Sequence, residues 1–134
     1  MDESQFAAYL RCLDHPKQLQ LATNVTTLFL LYREHVTSFS FSNLDLFMRK
    51  PVPALSVDAL LEHLPANGGH CFHHTELMYA ALNYLGFDVS RVATWILMGT
   101  EYKEDMTQTH NILLVKVDGA TYLCDPGLGS PILG

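Results

Sequence analysis

The chain carries a cysteine directly behind two glycines, in the run Asn67-Gly68-Gly69-His70-Cys71, at the head of an apolar helical pattern from Phe72 to Leu85. A thiol at a helix N-terminus is exposed to the positive end of the helix dipole, which favours the thiolate. Gly68 and Gly69 lack Cβ atoms, so backbone and substrate can approach closely there. Two later residues, His110 and Asp125, could complete a nucleophilic site. A carboxylate that binds one ring nitrogen of a histidine leaves the other free to take the thiol proton, and that arrangement suits acyl transfer. An adjacent imidazolium and the helix start together predict a Cys71 thiol ionising below its ordinary value. Taken singly, each residue has a plainer reading. Cys71 could be a small core hydrophobe, His110 a polar residue at a strand start, and Asp125 a turn residue before Pro126-Gly127.

The elements that must position these groups divide the chain. Positions 1–86 read as a helical domain carrying the nucleophile, and 87–134 as a partial β-barrel carrying the histidine and the aspartate. Helical spacing places Phe6, Leu10 and Leu13 on one face of a first helix, stopped by Asp14-His15-Pro16. Asn24 to Val36 is a second helix. Ser56 can cap a third from Val57 to Leu64, with Pro65 to Gly69 as a break. The period then changes to two: Val89 to Met98, Thr109 to Val117 and Ala120 to Asp125 read as strands. The last two are joined by Asp118-Gly119, a strong hairpin signal.

That turn fixes a register. Val117 opposes Ala120, Leu114 opposes Leu123 and Ile112 opposes Asp125. His110 and Asp125 then become diagonal neighbours on one face, about 7–8 Å apart at the backbone, within reach of each other's side chains. Cys124 should point to the opposite face. Two or three strands ordinarily want more partners, so the end at Ser130-Pro131-Ile132-Leu133-Gly134 looks abrupt and an exposed strand edge could promote self-association.

Composition bounds the partners. The chain has 134 residues and a formal net charge of -6, with only 8 Lys and Arg. Nucleic acid and anionic membrane need basic patches and are excluded as main partners. Met1 to Arg11 carries Asp2 and Glu3 and lacks a basic signal region, and Val25 to Tyr32 is too short to span a bilayer. With 3 cysteines and no leader, reduced thiols in the cytoplasm are expected. A histidine cluster (His63, His70, His73, His74) offers one helical pair, His70 and His74, of the kind that binds zinc. No third ligand has matching spacing, so no metal is expected, and His73 and His74 read as partly exposed helix residues.

The segment Asn67-Gly68-Gly69-His70-Cys71-Phe72 resembles the Arg-Gly-Gly-aromatic-Cys segment of the arylamine N-acetyltransferases. Thr109-His110-Asn111-Ile112-Leu113-Leu114-Val115 and Tyr122-Leu123-Cys124-Asp125-Pro126-Gly127-Leu128-Gly129 are similar to that family's histidine strand and Asp-x-Gly-Phe-Gly segment. Phe41-Ser42-Asn43-Leu44-Asp45 is similar to its Pro-Phe-Glu-Asn-Leu motif, and Leu85-Gly86-Phe87-Asp88-Val89 matches as well. The resemblance implies an α+β fold: an N-terminal helical bundle followed by an antiparallel β-barrel portion, with a cysteine-protease-like triad. It implies Cys71 as nucleophile, His110 as base and Asp125 as orienting carboxylate. Acetyl-CoA would be the co-substrate, arylamines or arylhydrazines the acceptors, the kinetics ping-pong, and xenobiotic metabolism the setting. Acceptor and CoA contacts would fall in the loop containing Met106, Thr107 and Thr109.

The chain also departs from the pattern. Asn67 stands for Arg, Ser40 and Ser42 for Pro and Glu, His73 and Thr75 for Glu or Gln and Asn, and Leu128 for Phe. An internal ion pair between positions 42 and 67 is therefore expected to be missing. Family members are much longer, so the rest of the barrel and the C-terminal lid domain are expected to be absent, and that truncation could impair turnover. A thiol hydrolase using the same three residues and a non-catalytic remnant of the fold are the competing readings.

Overall fold

A computed structural model of the protein describes residues 1–13 and 21–128. The predicted stop at Asp14-His15-Pro16 and the readings placed on Gly129 and on Ser130 to Gly134 lie outside the described residues.

Five helices come first: α1 (Glu3–Cys12), α2 (Val25–Ser38), the single turn α3 (Leu44–Phe47), α4 (Val57–Asn67) and α5 (Cys71–Tyr84). Local chemistry starts and stops them. Asp2 caps α1 in a reciprocal box with Gln5, and the Asn24 side chain accepts the Thr27 N–H of α2. Ser56 stands at the N-cap of α4 but makes no side-chain cap there, contrary to the sequence expectation. Pro65 does not break α4 either. It sits in the last turn, and the helix ends instead at Gly68, whose φ of 69° suits a residue without Cβ.

Three antiparallel strands follow: β1 (Asp88–Thr94), β2 (His110–Val117) and β3 (Ala120–Cys124), in the order β1-β2-β3. A short 3-10 turn, Pro126–Leu128, comes after β3. The expected barrel portion is, among the described residues, an open sheet. Among the described residues nothing pairs with its edge strands, β1 and β3. The predicted hairpin register holds, with Val117 opposite Ala120 and Leu114 opposite Leu123. Pairing ends at Leu113–Cys124, so Asp125 lies just past the ladder.

One hydrophobic core joins helices and sheet. Tyr9, Leu28, Leu31, Leu60, Leu77, Met78 and Leu82 pack with Leu113, Val115 and Cys124, all essentially inaccessible to solvent. Alternation along β2 sends Leu113, Val115 and Val117 to this core and His110, Ile112 and Leu114 to the other face. Leu123, opposite Leu114, is 42% exposed. The pair therefore lies on the outer face and not in the core. No helix of the described residues is long and apolar enough to cross a membrane.

The hairpin turn also ties the two halves together. Asp118 (φ 51°) and Gly119 (φ 78°) are both left-handed, as a primed turn requires. The Asp118 carboxylate accepts the Val25 N–H at 2.8 Å, an orphan donor at the start of α2. Replacing Asp118 by Ala should lower the unfolding free energy by about 1–2 kcal/mol through the lost cap and the strained φ, and Asn should recover most of it. Urea unfolding followed by circular dichroism measures both.

Candidate active site

Cys71 opens α5, and three contacts set it there. Gly69 donates its N–H to the Ser40 carbonyl at 3.0 Å and accepts from the Ser42 N–H at 2.8 Å, so the glycine turn is laced to the 40–42 segment. His70 is the N-cap of α5, and its Nδ1 accepts the Phe72 N–H at 3.3 Å. Gly127 lies against the thiol residue itself. A Cβ built there would come within 2.5 Å of the Cys71 Cα, so only glycine allows the post-strand turn and the helix start to meet.

On the sheet side, His110 is 4% exposed at the first position of β2. Its Nε2 lies 2.9 Å and 2.8 Å from the two Asp125 oxygens. Ionised carboxylate oxygens only accept, so Nε2 carries the proton and Nδ1 is the basic nitrogen. That Nδ1 is buried and has no hydrogen-bond partner among the described residues. Tyr32 steadies Asp125 by donating its hydroxyl to the Asp125 carbonyl at 3.1 Å.

Cys71 and His110 line one cavity of about 160 Å³, walled by Phe41, Ile96, Gly127 and Leu128. The fold thus brings together the three residues singled out in the sequence. At rest the thiol points to the Thr109 carbonyl, 3.8 Å from Sγ. Its ionisation departs from expectation. Burial pushes the Cys71 thiol above its ordinary value, and hydrogen bonding from the Phe72 and Asn111 amides offsets only part of this. The helix start and a neutral imidazole do not outweigh dehydration in this half-buried setting.

The predicted loop contacts scatter. Thr109 meets the thiol through its carbonyl. Met106 uses its carbonyl to accept the Trp95 Nε1–H at 2.9 Å, and Thr107 is exposed. Neither Met106 nor Thr107 lines the cavity. Phe41, Ile96, Gly127 and Leu128 do, and were not singled out as site residues. Phe41 and Gly127-Leu128 lay inside the motifs already noted, whereas Ile96 follows a strand end and carried no signal.

The substituted motif positions hold neutral contacts. Asn67 donates to the His63 carbonyl at 3.0 Å, and the Thr75 hydroxyl donates to the Asn111 carbonyl at 2.9 Å, joining α5 to β2. His73 and His74 are not partly exposed, as expected, but 2% and 1% exposed. The inward face of α5 is wide enough to bury both. His74 uses both ring nitrogens in hydrogen bonds, and His70 caps the helix, so the pair is not available to a metal. Among the described residues, no group of three or more His, Cys, Asp or Glu is arranged to hold a metal ion.

Comparison with known proteins places this geometry. A family model described as N-acetyltransferase matches residues 24–133. The arylamine N-acetyltransferase of Mycolicibacterium smegmatis is 38% identical over 112 residues, which cover 80% of this chain and 41% of that protein. Proansamycin X synthase of Amycolatopsis mediterranei is 28% identical over 117 residues, 84% of this chain and 44% of that one. Among solved structures, the Salmonella typhimurium arylamine N-acetyltransferase superposes with a TM-score of 0.82 at 29% identity, covering 95% of this chain and 46% of that chain. The Mycobacterium marinum enzyme in complex with CoA gives 0.77 at 29% identity, covering 91% and 46%. The chain spans less than half the length of these relatives.

Two outcomes follow from this geometry. Gly127→Ala should cost about 1–3 kcal/mol by overpacking and displace the start of α5, slowing alkylation of Cys71. Unfolding curves and alkylation followed by mass spectrometry measure the two effects. The buried histidines set a pH dependence. Burial lowers the pKa of His73 to about 4 and those of His35 and His74 below their ordinary 6.5. The unfolded chain binds more protons in that window, so stability is fully present above pH 6.5 and falls as pH drops towards about 4. Urea unfolding at stepped pH would contradict this assignment if the free energy stayed constant across the window.

Proposed function

This chain belongs to the arylamine N-acetyltransferase family, and on that footing we propose that it moves acetyl groups from acetyl-CoA to arylamines or arylhydrazines through Cys71. The observation that carries the proposal is the buried His110 imidazole, held through Nε2 by Asp125, its Nδ1 without a hydrogen-bond partner among the described residues, on a residue that lines one cavity with Cys71.

In this reading the thiol is not a resting thiolate. His110 Nδ1 takes the Sγ proton as Cys71 attacks the thioester carbonyl, and Asp125 stabilises the imidazolium that forms. The Cys71 thiolate displaces CoA, which leaves with the proton returned by His110, and the acetyl group remains on Sγ. An amine then attacks the acetyl carbonyl, His110 accepts its proton, and the amide leaves as the Cys71 thiol reforms. Phe41, Ile96 and Leu128 give the acceptor an apolar wall suited to an aromatic ring. Three unpaired cysteines, Cys12, Cys71 and Cys124, fit a reducing cytoplasmic setting.

Incubation with acetyl-CoA followed by intact-mass measurement tests the reading. An acetyl adduct should form on Cys71, be absent in Cys71→Ala, and be discharged by an added arylamine. His110→Ala or Asp125→Asn should slow adduct formation by about 10²–10⁴-fold. A folded chain that takes up no acetyl group at saturating acetyl-CoA would falsify acetyl transfer by this chain.

A further inference from the structure

A buried chain of polar side chains runs behind the site, unused by the chemistry above. The Tyr9 hydroxyl lies 3.0 Å from His35 Nδ1, His35 Nε2 lies 3.2 Å from His74 Nδ1, and His74 Nε2 lies 3.0 Å from the Gly69 carbonyl oxygen. All three side chains are at most 1% exposed. Their proton order can be deduced from the far end. A carbonyl only accepts, so His74 Nε2 carries the proton. The neutral ring then accepts at Nδ1, so His35 donates from Nε2. His35 Nδ1 accepts in turn, and Tyr9 donates. One arrangement satisfies every atom, and each donor in it points towards Gly69.

The end of this chain is where leverage on Cys71 is greatest. The Gly69 carbonyl also accepts the Ser42 N–H at 2.8 Å, so the ring of His74 and the 40–42 segment hold it jointly. Two residues on, the amides of Phe72, in the same helix, and Asn111, across on β2, favour the Cys71 thiolate and offset part of the effect of burial. A shift of the glycine turn would move the thiol relative to the second of these.

We propose that Tyr9, His35 and His74 are positioning residues: a directed relay that clamps the Gly69 carbonyl and so holds Cys71 against β2, and that acid unsettles by adding a proton to the chain. A proton on His74 puts N–H groups face to face at His35, unless the whole order reverses and Tyr9 becomes the acceptor. Among the described residues, the titratable groups that act on the relay are Cys12 on α1 and His70 and His73 on α5. None of these is a carboxylate that would offset an added charge. The effect on turnover rests on the acetyl-transfer reading, whereas the effect on the thiol does not.

The test is the rate of Cys71 alkylation by iodoacetamide across pH, run beside acetyl-adduct formation, in the wild type, Tyr9→Phe, His74→Gln and His74→Leu, with folding checked by near-ultraviolet circular dichroism. Tyr9→Phe keeps the ring packing and removes only the hydroxyl. Its alkylation midpoint should rise by about half a pH unit or more, with a neutral-pH rate at least about threefold lower. His74→Gln, whose amide can still donate to Gly69, should retain more reactivity than His74→Leu. A folded Tyr9→Phe with a profile superimposable on wild type overturns the proposal. Should that variant not fold, nitrogen-15 spectra of the wild-type imidazoles decide. Protonated Nε2 with bare Nδ1 in both rings is expected, and an Nδ1–H tautomer at His74 overturns the relay. A wild type whose alkylation depends on the relay but which takes no acetyl group would sink acetyl transfer alone. Acetylation untouched by Tyr9→Phe, with unchanged alkylation, would sink the relay alone.

Discussion

The whole arrangement depends on a contact with no room in it, the meeting of Gly127 with the first residue of α5. The backbone at Gly127 lies so close to Cys71 that a methyl group would sit 2.5 Å from its Cα. Without that approach the helices and the sheet would still share a core, but the thiol and the His110–Asp125 pair would belong to different regions. Three hydrogen bonds converge on the same seam. Tyr32 from α2 fixes the Asp125 carbonyl, Thr75 from α5 holds the Asn111 carbonyl, and the Cys71 thiol faces the Thr109 carbonyl. Each side chain from the helical half reaches a backbone group in β2, just before it at Thr109, or just after β3 at Asp125. Side-chain chemistry is thereby referenced to rigid main chain, which keeps reacting groups at short range.

That closeness has an electrostatic consequence. Packing at the seam takes part of the Cys71 side chain out of water, and dehydration disfavours the thiolate. The same dehydration makes a bare Nδ1 on His110 a poised acceptor, since it has no partner among the described residues to compete for its lone pair. In the proposed acetyl-transfer reading, burial moves activation from the resting state to the moment of attack. A thiol kept neutral until a carbonyl arrives is protected from adventitious oxidation, which follows thiolate character.

The site was legible from the sequence to the extent that local signals fixed long-range geometry. Asp118-Gly119 gave a turn type, the turn gave a register, and the register carried His110 and Asp125 to one face. Helix limits were readable where a capping side chain decides them, as at Asn24. They were misread at Pro65, because a proline in a final turn forfeits only a bond already at the frayed end. Leu114 and Leu123 were paired correctly, and the structure sets that pair on the outer face. An alternating pattern says which residues share a face, not which face is covered. The thiol's ionisation and the burial of His73 and His74 were not legible, since both depend on how tightly separate elements close together.

The neutral motif positions and the histidine-rich interior belong to one solution. With Asn67 and Ser42 where the resembling motifs carry charged residues, the wall behind Cys71 has no ion pair between those two positions. Its bracing comes instead from neutral donors, the Ser42 N–H and the His74 ring, meeting at one carbonyl. A neutral hydrogen bond in a dry interior is directional and avoids the desolvation cost of two buried charges. It remains intact only while the rings stay uncharged. Burial enforces that at neutral pH, and His74 lowers the proton affinity of His35 further, as His70 does that of His74. The consequence is a scaffold whose geometry is set by protonation state, where an ion pair would have tied it to ionic strength.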